Sequence, residues 1–160
     1  MNGIPYNPGV IPSKPAPEAG EEIRFKVEGL PPYKDLGQSI RNRKHKAHDR
    51  FILLREKAIE AMAGRAWSFE AIELILLLYG NPDNFDKTSW DYIAGIMDTL
   101  DGSSGQTFTF LPIVYEDDCQ VYSGGFEIKE AKEEAYEILI KFGTTDTLNK
   151  ANHSRFARTR

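Results

Sequence analysis

The chain predicts an α+β fold in which a small β-sheet is packed by two main helices. Three observations point there. Two short stretches alternate apolar and polar residues, as a strand with one covered face does: Ile23, Phe25 and Val27, then Tyr136, Ile138, Ile140 and Phe142. Ala47, Phe51, Leu54, Ala58, Ala61 and Met62 recur at three- and four-residue spacing, the stripe of an amphipathic helix that Gly64 would stop. Between these patterns lies a nearly continuous apolar run at 72–79.

Residues 1–21 carry five prolines and little periodicity, so they read as an extended, flexible arm. The first strand, 23–28, ends at Gly29-Leu30-Pro31-Pro32, where two prolines remove ladder donors. A basic loop leads into the helix at 47–64. The segment 69–79 is too apolar for a surface element, and Gly80-Asn81-Pro82-Asp83-Asn84 punctuates its end. A buried strand fits it better than a short helix. Residues 89–100 form a second helix with Thr88 or Ser89 as cap and Ile93, Ile96, Met97 and Leu100 as its stripe. After a flexible connection at 101–105, 107–114 is expected as a short strand, and 120–128 and 136–142 as two more; 129–134 could be helical. The rest, 143–160, is a basic tail expected to fray.

At 160 residues, with 41% hydrophobic and 28% charged, the chain is one ordinary globular domain by length. Its single cysteine, Cys119, excludes an intrachain disulfide and a cysteine-rich zinc site. No apolar run reaches membrane-spanning length, and the first residues lack a secretory pattern. A cytoplasmic protein with no membrane partner is the expectation.

A net charge of -4 does not itself suggest a nucleic-acid binder, but the charges are segregated. Arg41, Arg43, Lys44, Lys46 and Arg50 form one basic segment, with His45 and His48 between them. Lys150, Arg155, Arg158 and Arg160 form another. Acids concentrate at 83–118 and 127–137. Cations that neutralise phosphates beside carboxylates that hold a divalent ion are what a metal-dependent nuclease needs. Taken alone, such charge runs also serve as solvated loops. His45 and His48 lack a third ligand, so phosphate contact or solvation is their expected use. Acids beside Cys119 disfavour a thiolate nucleophile. Trp67 and Trp90 are expected in the core or an interface, although Trp90 could stack a base.

Residues 23–142 resemble the RusA family of Holliday-junction resolvases. The resemblance rests on order: a strand into Gly29-Leu30-Pro31-Pro32-Tyr33-Lys34, a basic loop and long helix, a buried strand, a helix ending in Asp98-Thr99-Leu100, then Asp117-Asp118-Cys119-Gln120-Val121. It implies a small mixed sheet, a homodimer, Mg²⁺ (or Mn²⁺) as cofactor, and resolution of branched DNA such as four-way junctions. Asp118 matches the family's metal-binding position, with Asp117 beside it. Counting back from Asp98, Thr88 and Trp90 fall where the family has its other two metal-binding aspartates. Asp91 replaces the family's asparagine and Ala94 its lysine. Asp91 with Asp118 is one replacement pair, since Asp91 lies two turns from Asp98; Asp86 and Asp83 on the preceding loop are further candidates. The catalytic expectation is therefore Asp118, Asp117 and Asp91, the metal expectation Asp118, Asp91 and Asp86. The DNA-binding expectation is Lys34, Arg41, Arg43, Lys44, Lys46 and Arg50. The alternative is an inactive relative that binds branched DNA or a protein partner without cutting.

Overall fold

The computed structural model describes residues 11–102 and 110–143. Strand β1 (Glu22–Glu28) leads through a long loop to helix α1 (His48–Met62) and then strand β2 (Ile72–Tyr79). Helix α2 (Ser89–Leu100), strand β3 (Val121–Lys129) and strand β4 (Ala135–Phe142) follow. The strands form one mixed sheet in the order β1-β4-β2-β3. β4 runs antiparallel to both β1 and β2, while β2 and β3 are parallel and joined through α2. This is the expected α+β architecture of a small mixed sheet with two helices.

The central position of β2 explains its composition. Paired on both edges and covered by α2, it buries Ile72, Leu74, Leu76 and Leu78 completely. Each such side chain contributes roughly 2–3 kcal/mol on leaving water. The same face continues through Tyr136, Ile138, Ile140 and Phe142 to Ile23 and Val27. Phe51, Leu54 and Ala58 of α1 and Tyr92, Ile96 and Leu100 of α2 close the core. The opposite face is mixed: Arg24 pairs with Glu137 and Lys141 with Glu73 around Ile75, Leu77 and Leu139.

Some expectations change in detail. The segment at 107–114 lies partly outside the described residues, and 110–114 is not a strand; its amides cap α2 instead. Lys129 closes β3 and 130–134 make the turn into β4, so 129–134 is not helical. Residues 1–10 and the tail at 144–160 lie outside the described residues. The described part of the arm is attached to the domain, with Ser13 and Lys14 donating to the Gly64 carbonyl. No helix among the described residues is long and apolar enough to cross a membrane.

Candidate functional site

The last turn of α2 organises the site. A helix leaves its last four carbonyls without intrahelical partners. Here each one has a donor from elsewhere. Tyr115 Oη donates to Met97 O (3.1 Å), Arg41 to Asp98 O, Arg55 to Thr99 O (3.1 Å), and the amides of Ile113 and Val114 to Leu100 O (both 3.1 Å). Arg55 is fully buried and also donates to Leu111 O, with its guanidinium over the rings of Phe51 and Phe110. Burial pushes its pKa down to about 10.

The Asp-Asp-x-Gln motif has a clear division of labour. Asp117 caps a 3₁₀ turn, its side chain accepting from the Cys119 amide (2.9 Å), which holds its carboxyl below the usual range. Gln120 accepts from the amides of Glu116 and Asp117 and donates to the carbonyls of Ser68 (2.7 Å) and Glu70 (2.8 Å). The turn is thereby clamped to the segment before β2. Asp118, between the two, is aimed at the end of α2. There it meets the carboxyls of both Asp98 and Asp101.

Three carboxyl groups thus share one corner with two cations. Arg41 Nη2 lies 2.8 Å from Asp101 Oδ1, and Lys34 Nζ lies 3.9 Å from Asp98 Oδ2. Burial raises Asp98, and Asp118 adds to it against the pull of Lys34. Burial, and then the contact with Asp118, raises Asp101 to about 8. The buried Tyr115 hydroxyl faces the same carboxylates and is pushed well up, mainly by burial. Asp118 Oδ1 is buried and has no hydrogen-bond partner. Beside the cluster, a cleft of about 310 Å³ opens between Asp98 and the loop carrying Lys34, Asp35 and Ser39.

Asp91 and Asp86 are held elsewhere. The Asp91 amide donates to the Thr88 cap and its carbonyl accepts from the Lys34 amide, at the opposite end of α2 from Asp98. Asp86 accepts from Arg50 and from Tyr92 Oη, and its carboxyl is lowered by those bonds against its own desolvation. Of the basic segment, Arg41 and Arg50 are committed to internal acids, while Arg43, Lys44 and Lys46 are exposed. His45 and His48 are neither solvated nor at the surface. Both are buried: His48 Nδ1 meets Ile40 O (2.9 Å) and His45 Nδ1 accepts from the Ala47 amide (2.9 Å), folding the loop inward. Cys119 is exposed, and Asp117 raises its pKa.

Asp101 and Tyr115 were not among the expected site residues. Asp101 reads as the start of a flexible connection, and its one signal is its place three residues after Asp98, on the same side of the helix end. Among the described residues no group of three or more His, Cys, Asp or Glu is arranged to hold a metal ion. Asp118 touches its two neighbours pairwise, and the three do not converge on one point. A site of one or two carboxylates completed by water, which Mg²⁺ accepts, fits these residues, and the orphaned Asp118 Oδ1 is an acceptor such a cation would satisfy. No protein-family model matches the chain, and no curated protein is similar to it.

Proposed function

We propose that this chain is a divalent-metal-dependent endonuclease that cuts branched DNA such as four-way junctions. The observation that carries the reading is the buried, unpartnered Oδ1 of Asp118 set against Asp98 and Asp101, beside a loop that exposes Arg43, Lys44 and Lys46. Asp118 with Asp98 would hold Mg²⁺ or Mn²⁺, in place of the pairs with Asp91 or Asp86. When bound, the cation supplies Lewis-acid polarisation of a phosphodiester and a more acidic water. Burial and the contact with Asp118 push the Asp101 carboxyl up, and Arg41 orients it. Lys34 and the exposed loop cations neutralise phosphates on either side of the cleft. A homodimer suits this substrate, because a four-way junction has two symmetric scissile phosphates.

A second reading, junction binding without cleavage, is favoured by one specific observation. Thr88 serves only as the cap of α2 and Trp90 projects into solvent, so neither position supplies a ligand. The test is cleavage of a synthetic four-way junction with Mg²⁺ or Mn²⁺, alongside Asp118→Asn and a binding assay in EDTA. Paired symmetric nicks that vanish in Asp118→Asn are expected. Tight binding without nicks would select the second reading, and a chain that neither binds nor cuts would refute both.

A further inference from the structure

Two exposed apolar side chains stand beside the acidic corner: Phe69 is 72% exposed and Leu36 fully so. Single exposed apolar residues are ordinary on a protein surface. What distinguishes these two is the backbone that carries them. Ser68 is buried, its amide donating to Val114 O (2.8 Å) and its hydroxyl accepting from the Glu70 amide (2.8 Å). The carbonyls of Ser68 and Glu70 both accept from the side chain of Gln120, which lies two residues after Asp118. Phe69 therefore sits at the apex of a clamped bend. One turn, the Asp-Asp-x-Gln turn, positions both the Asp118 carboxyl and the backbone from which this ring projects.

Leu36 is carried in a similar way. It occupies the apex of a turn closed by the pairing of Asp35 with Gln38, where Gly37 supplies a φ of +84°. Asp35 is anchored by Lys87 Nζ (3.2 Å) and faces His45 Nε2 (3.5 Å). Contacts lead from one apex to the other. Gln120 holds the Phe69 bend, Asp118 of the same turn meets Asp98, and Asp98 meets Lys34, two residues before Leu36. The acidic corner and its cleft lie along that path. The charges at its two ends differ. Glu70, Glu116 and Asp117 surround the Phe69 bend, where they disfavour a phosphate. Lys34, Lys44 and Lys46 belong to the loop that carries Leu36.

A nucleotide has parts that match both ends, an uncharged flat base and a charged phosphate. We propose that Phe69 stacks an unpaired nucleobase of the strand whose phosphate lies at Asp118 and Lys34, while Leu36 is wedged against the bases beyond the cleft. The acids around the ring exclude phosphate there and leave the base as the part it accepts. Stacking of this kind is indifferent to base identity, because every base has a π-face. Exposed apolar residues such as leucine also enter between base steps and unstack them. The pair therefore reads unpaired structure, not sequence: it selects strands whose bases are free to leave the stack over a continuous duplex. This deepens the nuclease reading and rests on it for the place of the phosphate.

The test is binding of the full chain to a single-stranded oligothymidylate in EDTA, over a range of salt that starts low. Phe69→Ala should weaken binding about tenfold, the loss of one stacked base, with the salt slope unchanged because no phosphate contact is removed. Phe69→Trp should restore it, and Leu36→Ser should cost less, since leucine has no π-face. A strand whose central nucleotides are abasic should bind the wild type and Phe69→Ala alike. Affinity for a continuous duplex should not change. Nor should the melting temperature, since a ring that is 72% exposed has little burial to lose. Equal affinity of wild type and Phe69→Ala for the single strand, a loss that reaches the duplex equally, or no binding at all overturns the proposal. So does a Phe69-dependent grip on a lysine-rich peptide in place of DNA, which would assign the acidic rim to a protein partner. Junction cleavage indifferent to Phe69 would leave the nuclease reading standing without this one. Phe69-dependent strand binding by a chain that cuts nothing would do the reverse.

Discussion

Gly95→Ala tests how the basic loop is delivered to the acidic corner. Gly95 sits in the middle of α2, where alanine is normally better by about 1 kcal/mol. An added Cβ, however, would lie 2.5 Å from Pro32 C and from Tyr33 Cα, and closer still to the Pro32 carbonyl oxygen. Those are main-chain atoms, so no rotamer change relieves the clash; the turn must retreat by about 1 Å to restore ordinary contact. Overpacking of this kind costs about 1–3 kcal/mol, and the lost Lys34 N–H bond to Asp91 O (3.4 Å) adds to it. Against the propensity gain, a net loss of about 2 kcal/mol is expected, a fall in Tm of roughly 5–10 °C for a domain of this size. The retreat also carries Lys34 away from Asp98, so junction affinity should fall. Thermal melting followed by circular dichroism is the assay, with Ala94→Gly as the comparison. That neighbour should lose only the propensity difference, about 1 kcal/mol. A Gly95→Ala protein that melts at or above the wild type would refute the argument, because helix propensity alone would then account for it.

Four further predictions concern buried polar groups. Burial depresses the His45 pKa against the opposing pull of Asp35, with His48 and Lys87 adding to the depression. The unfolded chain therefore takes that proton first, so His45's contribution is complete above about pH 6.5 and lost as pH falls below it; His45→Gln should flatten the acid side of a urea-midpoint profile. Asp101 has the opposite sign. Its raised pKa makes its contribution complete below about pH 4 and lost as pH rises through about 8. Asp101→Asn should therefore remove the fall in Tm between pH 6 and pH 9. Arg55→Ala should cost about 3 kcal/mol in urea denaturation, because two carbonyls lose their donor and two rings lose their contact. Asp118→Asn should raise the Tm by a few degrees at neutral pH while abolishing any stabilisation by added Mg²⁺; an unchanged response to Mg²⁺ would remove Asp118 from the ligand set.

The fold was legible where side-chain periodicity is local. β1, β4 and both helices follow from their own spacing, and the Thr88 cap from the residue type before the apolar stripe. The apolar run of β2 was readable as a buried strand because pairing on both edges demands such a run. What no local pattern could supply was convergence. Asp91 and Asp98 share a helical face, yet only the C-terminal end of that face is met by the turn at Asp118. Asp101 belongs to the site because the chain after α2 folds back to cap it, a contact between residues far apart in sequence. The buried His45 and His48 escaped for the same reason: a basic, polar loop gives no sign that it folds inward, setting His48 on the Ile40 carbonyl and His45 beside Tyr33. Arg41 and Arg50 resemble phosphate-binding cations by composition. Only their partners, Asp101 and Asp86, reveal that their charges are already paired within the chain.

The electrostatics of the acidic corner are hard to explain by stability alone. The C-terminal end of a helix already carries partial negative charge, and cations are the favourable residues there. The last turn of α2 contains no basic residue and instead has Asp98, with Asp101 directly after it and Asp118 brought against both. Neutral side chains at these positions would relieve burial and mutual repulsion together. The domain instead draws donors for the helix end from three separate segments: Arg41 from the loop, Arg55 from α1, and Tyr115 with the 113–114 amides from the chain before Asp118. Even so, Asp118 Oδ1 is left buried without a partner. Perturbed carboxyls gathered in this way beside a cleft are what functional sites share. A cation arriving there would meet a helix end, an orphaned oxygen and repelling carboxyls that all become more favourable when it binds. That common direction of three separate terms is the physical reason to look for the chemistry at Asp98, Asp101 and Asp118 before Asp86 or Asp91, whose charges are already satisfied or lie at the other end of α2.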